Sequence, residues 1–241
     1  MSLQRLGRIG VAIAAFGFLW LAYVWITLPD VRPLRKTPPA TTAWMEMRAE
    51  QARAAGKPVR KNQRWVSYAR ISSNLTRAVL LAEDSAFWSH EGIDFDEMKI
   101  AIEDSWEKGE PMRGASTITQ QLAKNLYLSP SRNPARKIQE FLIARRLEAE
   151  LSKQRILELY LNEIEWGDGI WGCEAAARAY FGVSAADLSP EQAALMAGAI
   201  INPIRYSPAH PNGRLLRRQQ IILRRMNGVT PPKSEDPSRS Y

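Results

Sequence analysis

Two adjacent carboxylates, Glu83 and Asp84, follow the apolar run 78–82 and precede Phe87, Trp88 and His90. An acid emerging from an apolar stretch is poorly solvated as a charge, which raises its pKa and lets it take a proton from a hydroxyl. Glu83 is the stronger candidate for that base; the plain alternative is a helix end carrying two solvated acids. A second cluster follows at 113–125, where Arg113, Ser116, Thr117, Gln120, Gln121 and Lys124 crowd a helix start behind Gly109, Pro111 and Gly114. Many donors and acceptors in one place suit a sugar, and Lys124, one helical turn beyond Gln120, suits a charged group beside it. An ordinary capped helix with a wet face explains the same residues. The third cluster is Arg132, Arg136, Lys137 and Glu140 around the start of a helix, where cations and the helix dipole together favour an anion such as a diphosphate. Arg136 and Glu140 also fit a surface pair worth only about 0.3–0.5 kcal/mol.

The elements that must hold these groups are mostly helices. Periodic apolar stretches recur at helical spacing, alternating strand-type runs are scarce, and the reading is a mainly α domain. Asn133-Pro134 and Ser189-Pro190 mark two helix starts, Ser152 a third, and Gly182 a left-handed helix end. Residues 9–28 carry no charge and match the thickness of a bilayer core, so they read as one transmembrane helix, with Trp20, Tyr23 and Trp25 toward its far end. The flanks 1–8 and 29–36 are both basic and do not orient it. Residues 29–43 read as a proline-rich linker, 44–228 as the folded domain and 229–241 as a flexible tail. The basic amphipathic stretch 214–225 fits a packed helix with a solvated face, or a helix lying on anionic headgroups.

Composition narrows the chemistry further. With 33 Lys and Arg against 25 Asp and Glu, the net charge of +8 favours anionic partners. The charge is spread through the domain behind an anchor, which argues against a nucleic-acid binder. One cysteine, Cys173, and two histidines, His90 and His210, leave no disulfide framework and no Cys/His zinc site. His90, without a second ligand nearby, reads as a structural hydrogen-bonding residue.

Taken together and in order, four blocks resemble the signatures of family 51 glycosyltransferases, the peptidoglycan polymerases. They are E-D-x-x-F-x-x-H-x-G at 83–92, G-A-S-T-I-T-Q-Q-x-x-K-N at 114–125, R-K-x-x-E at 136–140 and I-L-E-x-Y-L-N at 156–162. The similarity extends over most of residues 65–210, and the short chain resembles the monofunctional branch of that family. Ser105-Trp106-Glu107-Lys108 fits S-x-x-K, but no K-T-G follows it, so no transpeptidase is expected. Ala115 stands where many relatives carry a second glycine.

The resemblance implies a lysozyme-like, two-lobed helical domain behind one N-terminal transmembrane helix. It implies polymerisation of lipid II into β-1,4-linked glycan strands with inversion, releasing polyprenyl diphosphate. Glu83 falls at the family's base position and Glu140 at its second essential glutamate. Lys124 and Arg136 fall at phosphate-contacting positions, with Arg113, Arg132 and Lys137 as weaker members, and Ser116, Thr117, Gln120 and Gln121 as sugar contacts. No protein-held metal and no cofactor is required; a divalent cation, Mg or Mn, is compatible with the diphosphate, where Glu83 and Asp84 can contact it. Expected partners are lipid II, the growing strand, the membrane, and other wall-synthesis and division proteins, with the catalytic domain on the periplasmic side of the bacterial inner membrane. The competing functions are a lytic transglycosylase or peptidoglycan hydrolase, whose leaving group is uncharged, and a noncatalytic scaffold of wall assembly.

Overall fold

The computed structural model describes residues 3–109, 114, 116–129 and 134–228, apart from the side chains of Leu3, Arg5, Leu6, Leu21, Val24 and Pro134. The described residues are mainly helical, as the periodicity predicts. The first helix, α1 (Leu3–Ile26), is a 24-residue rod whose Val11, Ile13, Phe16, Phe18 and Leu19 are exposed. Among the described residues no helix is long and apolar enough to cross a membrane. Leu21 and Val24, inside the apolar run of α1, are not among the described side chains. The C-terminal end of α1 rests on the domain, where Trp20 packs against the core and Arg146 stands 5.7 Å from the Trp25 ring.

Residues 29–43 follow as packed structure. A single 3-10 turn, Arg32–Arg35, is started by a proline in its first turn, and Leu28, Val31 and Leu34 drop into the main core. Thr42 then caps α2 (Ala43–Ala54) through the Met45 amide. Ser72 caps α3 (Ser73–Glu83), whose Leu75, Ala78 and Val79 are buried. Asp94 caps α4 (Phe95–Lys108), a helix with no buried residue; Gly109 ends it in the left-handed conformation.

The centre of the domain is α5 (Ile118–Tyr127), packed on α2, α6 (Pro134–Glu150) and α7 (Lys153–Glu163). Leu122 and Leu126 of α5 meet Ile143 and Leu147 of α6 and Ile156, Leu159 and Tyr160 of α7 in one apolar cluster. Beyond α7 lie α8 (Cys173–Phe181), α9 (Pro190–Ala199) and α10 (Gly213–Met226). Small residues on α9, Ala193, Ala194 and Ala197, let α3 and α10 approach it closely. The capping residues expected at Ser152 and Ser189, and the left-handed Gly182, occur as such.

Three short strands, β1 (Asn62–Gln63), β2 (Glu165–Gly167) and β3 (Ile170–Trp171), form a sheet of order β1-β3-β2. The β1–β3 pair is parallel and the β2–β3 pair antiparallel, which clamps the 60s against the turn after α7. Trp166 and Trp171 are core residues beneath it, while Trp65 is partly buried with the Arg155 guanidinium 5.2 Å from its ring.

Candidate active site

Glu83 is the last residue of α3 and Asp84 its C-terminal cap, so the backbone turns between them and sends the two carboxylates to different places. Asp84 is buried. It accepts from His90 Nε2 at 3.0 and 3.1 Å and from the Ile118 amide at 2.9 Å. The Gly92 amide donates to His90 Nδ1 at 3.1 Å, which places the imidazole proton on Nε2, facing Asp84. Gly92 itself has φ +87°, and a Cβ there would lie 2.9 Å from Glu148 Cγ. The first motif is thus an acid, a histidine and a glycine wired to the first turn of α5, and His90 acts as the structural hydrogen-bonding residue the sequence suggests.

Glu83 remains at the mouth of a cavity lined by Ser85, Asp94, Gly114, Ser116, Thr117 and Arg225. Gln121 Nε2 donates to Glu83 Oε2 at 3.0 Å, and the Tyr160 hydroxyl donates to Gln121 Oε1 at 2.8 Å. Burial lifts Glu83 above the usual carboxylate range; the Gln121 hydrogen bond and the charges of Arg218 and Lys124 oppose the rise, while Asp84 adds to it. Of the pair Glu83–Asp84, Asp84 has both oxygens hydrogen-bonded, to His90 and the Ile118 amide. No group of three or more His, Cys, Asp or Glu residues placed to hold a metal ion occurs among the described residues.

Thr117 and Gln120 form a reciprocal capping box at the start of α5. The Thr117 hydroxyl accepts from the Gln120 amide and donates to the Gly92 carbonyl at 2.7 Å, while Gln120 Oε1 accepts from the Thr117 amide at 3.1 Å. The Thr117 hydroxyl and Gln120 Oε1 thus close the helix start. Of the sugar-contact candidates, Ser116 and Thr117 line the Glu83 cavity, with Ser116 exposed, while Gln121 lines the neighbouring groove and reaches Glu83.

Glu140, buried on α6, gathers the cations. Arg136 donates to its Oε2 at 3.0 Å and Lys137 makes a short ion pair to its Oε1. Lys137 also reaches the Ser116 hydroxyl at 3.3 Å, so one serine touches both the Glu83 cavity and the cationic cluster. Lys124 stands between the two groups of residues. Burial depresses its ammonium; Glu140 and Glu83 pull its pKa up, and the charges of Arg136 and Lys137 push it down. Its Nζ lies 5.5 Å from the Trp44 ring. Arg113 and Arg132 lie outside the described residues.

Several neighbours of the site carry no local signal in the sequence. Trp44, Arg48 and Asn202 line a groove with Gln121 and Lys124. Arg48 Nε and Nη2 both donate to Glu165 Oε2, at 2.9 and 2.8 Å. Arg218 brings its charge to Glu83 from α10, and Arg225 lines the cavity while donating to the Leu81 carbonyl at 3.1 Å. The only signal for the last two is the arginine repeat of the 214–225 stretch, whose apolar face, Leu215, Ile222 and Met226, is buried inward.

Comparison with known proteins matches this arrangement to one family. The transglycosylase family model matches residues 50–227. A biosynthetic peptidoglycan transglycosylase of Laribacter hongkongensis is 46% identical over 222 residues, covering 91% of this chain and 96% of that protein. Proteins of the same name from Aromatoleum aromaticum and Nitrosomonas eutropha are 48% identical over 194 residues and 46% over 188. They cover 80% and 78% of this chain, and 84% and 77% of their own lengths. With the family model spanning most of the chain and one relative matched nearly end to end, the chain belongs to the transglycosylase family.

Proposed function

We propose that this chain is a peptidoglycan glycosyltransferase. It joins the disaccharide units of lipid II into β-1,4-linked strands, releases polyprenyl diphosphate and has no transpeptidase activity. The observation that carries this reading is the position of Lys124, within electrostatic reach of Glu83 on one side and of Arg136, Lys137 and Glu140 on the other. Ser116 supports it further: it lines the Glu83 cavity and its hydroxyl accepts from Lys137 at 3.3 Å, setting a base beside an anion seat, as transfer from a diphosphate donor requires. The mainly helical fold is consistent with a lysozyme-like, two-lobed domain, and the Glu83 cavity draws its lining from α3, α10, the start of α4 and residues 114, 116 and 117.

In this reading the acceptor 4-hydroxyl gives its proton to Glu83 as its oxygen bonds to the anomeric carbon of the growing strand. The bond from that carbon to the diphosphate breaks, and the electron pair leaves with the phosphate oxygen. Lys124, Arg136 and Lys137 stabilise the charge that develops there, with Arg113 and Arg132 as further candidate cations. Attack is in line on an α-linked donor, so the product is β. Glu140 holds Arg136 and Lys137 toward the leaving group, and Ser116 and Gln121 meet the sugar. Thr117 and Gln120 fix α5 through the capping box and remain candidate sugar contacts, Thr117 from the lining of the Glu83 cavity.

The enzyme works in the cell envelope, where its substrate resides. The uncharged run 9–28 supports a single membrane crossing by α1, with the catalytic domain on the periplasmic face, and an anchored enzyme meets a lipid-borne substrate at raised local concentration. Retention of the full chain, but not of a form lacking residues 1–26, in alkali-washed membranes tests that placement.

Purified protein incubated with lipid II tests the activity. Glycan polymer is the expected product, and Glu83→Gln lowers its rate by about 100-fold or more, the contribution of a positioned base. Release of soluble fragments from preformed peptidoglycan, with no polymer from lipid II, overturns the proposal in favour of a lytic enzyme.

A further inference from the structure

The proposed mechanism asks more of Glu83 than a raised affinity for protons. One oxygen must be free and aimed at the acceptor while the other is held. Among the described residues Glu83 is hydrogen-bonded through Oε2 alone, to Gln121 Nε2 at 3.0 Å. The orientation of that amide is therefore decisive, because a reversed Gln121 would turn a carbonyl oxygen toward the carboxylate.

Two groups fix it. The Ser116 carbonyl accepts from Gln121 Nε2 at 3.4 Å, a long contact. The Tyr160 hydroxyl donates to Gln121 Oε1 at 2.8 Å. Tyr160 is fully buried on α7, at the floor of the groove lined by Gln121 and Lys124. Burial, with Glu83 and Asp84 nearby, holds its phenol well above the ordinary pKa, and it stays a donor throughout the working range. The backbone of Gln121 is fixed in turn, since its carbonyl accepts from Asn125 Nδ2 at 2.8 Å.

We infer that Tyr160 is a positioning residue. Its buried hydroxyl locks the Gln121 amide, which ties one oxygen of Glu83 and leaves the other to receive the acceptor's proton. A donor on Oε1 also polarises the amide and strengthens the Nε2–H bond to the carboxylate. The inference rests on Glu83 being the base. The charged groups around Glu83 are Arg218 from α10, Lys124 from α5 and Asp84 at the cap of α3, with Asp94, Glu97 and Arg225 lining the same cavity; the Tyr160 hydroxyl bonds to none of them.

The test is the pH dependence of kcat/KM for polymerisation of lipid II by the full-length protein. Tyr160→Phe keeps the ring and removes the hydroxyl. Gln121 then donates less well, the Glu83 carboxylate is less stabilised, and its proton is held more tightly. The acid limb is expected to move to higher pH by up to about one unit, a loss of up to about tenfold below the limb with little change above it. KM at high pH stays that of the wild type. Gln121→Met moves the limb the same way, and the double variant moves it no further, because both changes break one chain. A uniform loss at every pH with an unmoved limb assigns Tyr160 to packing alone and overturns the inference. Should Tyr160→Phe not fold, an unmoved limb in Gln121→Met overturns it equally. Full polymerisation by Glu83→Gln removes the base reading itself, a different failure from an inactive Glu83→Gln beside an unmoved limb.

Discussion

Glu83 and Asp84 differ by one methylene and one position, yet one is left for chemistry and the other is consumed by structure. The cause is the end of α3: the last helical residue points along the helix face toward the cavity, while the cap residue turns into the domain and meets His90 and the Ile118 amide. A third acid shows what happens when neither use is available. Glu163, at the end of α7, is 1% exposed; Gln63 Nε2 donates to its Oε2 at 3.1 Å, and among the described residues its Oε1 has no hydrogen-bond partner. Burial pushes its carboxyl up to about 7, against the Gln63 hydrogen bond and the charges of Lys61 and Arg155. The folded state therefore binds the proton more tightly than the unfolded chain does. Stability from this group is fully present below the ordinary value of 4.5, falls as pH rises, and levels off above about 7. The total loss is up to about 3 kcal/mol. Glu163→Gln keeps the shape and stays neutral, so its melting temperature should match the wild type near pH 4 and exceed it near pH 8, the gap opening between those limits. Thermal melts across that range check it, and parallel curves would show that Glu163 is solvated or paired in solution.

At the scale of elements, α5 carries the site because its N-terminus is held from three directions. Asp84 accepts from its first amide, the Thr117–Gln120 box closes its first turn, and the Gly92 carbonyl accepts from the Thr117 hydroxyl. Asp84→Ala removes the acceptor of both the Ile118 amide and His90 Nε2, which is expected to cost about 2–4 kcal/mol. Asp84→Asn retains an acceptor for Ile118 and should recover part of that loss; denaturant midpoints of the two variants give the comparison. The helix and its cap were readable from residues 117–120, since Thr-x-x-Gln is capping-box spacing. The same polar residues also suited a sugar; in the structure the Thr117 hydroxyl and Gln120 Oε1 close the box. The 214–225 stretch shows the opposite limit. Its helical period was plain, but the direction of its arginines depended on α3 and α9, residues far away in sequence. Arg218 and Arg225 at the Glu83 cavity are legible only once α10 has packed its Leu215, Ile222 and Met226 face inward.

Over the whole molecule, the least legible boundary lies between anchor and domain. Prolines and threonines at 29–43 report that the chain is not helical there, and say nothing about whether it is solvated. In the folded protein Val31 and Leu34 sit in the main core. Arg146 donates to the Leu28 and Pro29 carbonyls at 3.0 and 3.2 Å, and Arg155 to the Leu34 carbonyl at 2.7 Å. Arg35 reaches both the carbonyl and the carboxylate of Glu150 at the end of α6. The segment is thus a strap that fixes the end of α1 to the helix carrying Arg136 and Glu140. Two truncations separate a strap from a passive linker. A chain beginning at Thr27 keeps every one of these contacts and should unfold at nearly the full-length midpoint. A chain beginning at Trp44 loses Leu28, Val31 and Leu34 from the core, each worth about 1.5–3 kcal/mol, together with the Thr42 cap of α2. It should be less stable by about 4 kcal/mol or more, with polymerisation reduced in step because α2 supplies Trp44 beside Lys124. Equal stability of the two forms would mean that the strap is bound only when α1 holds it in place.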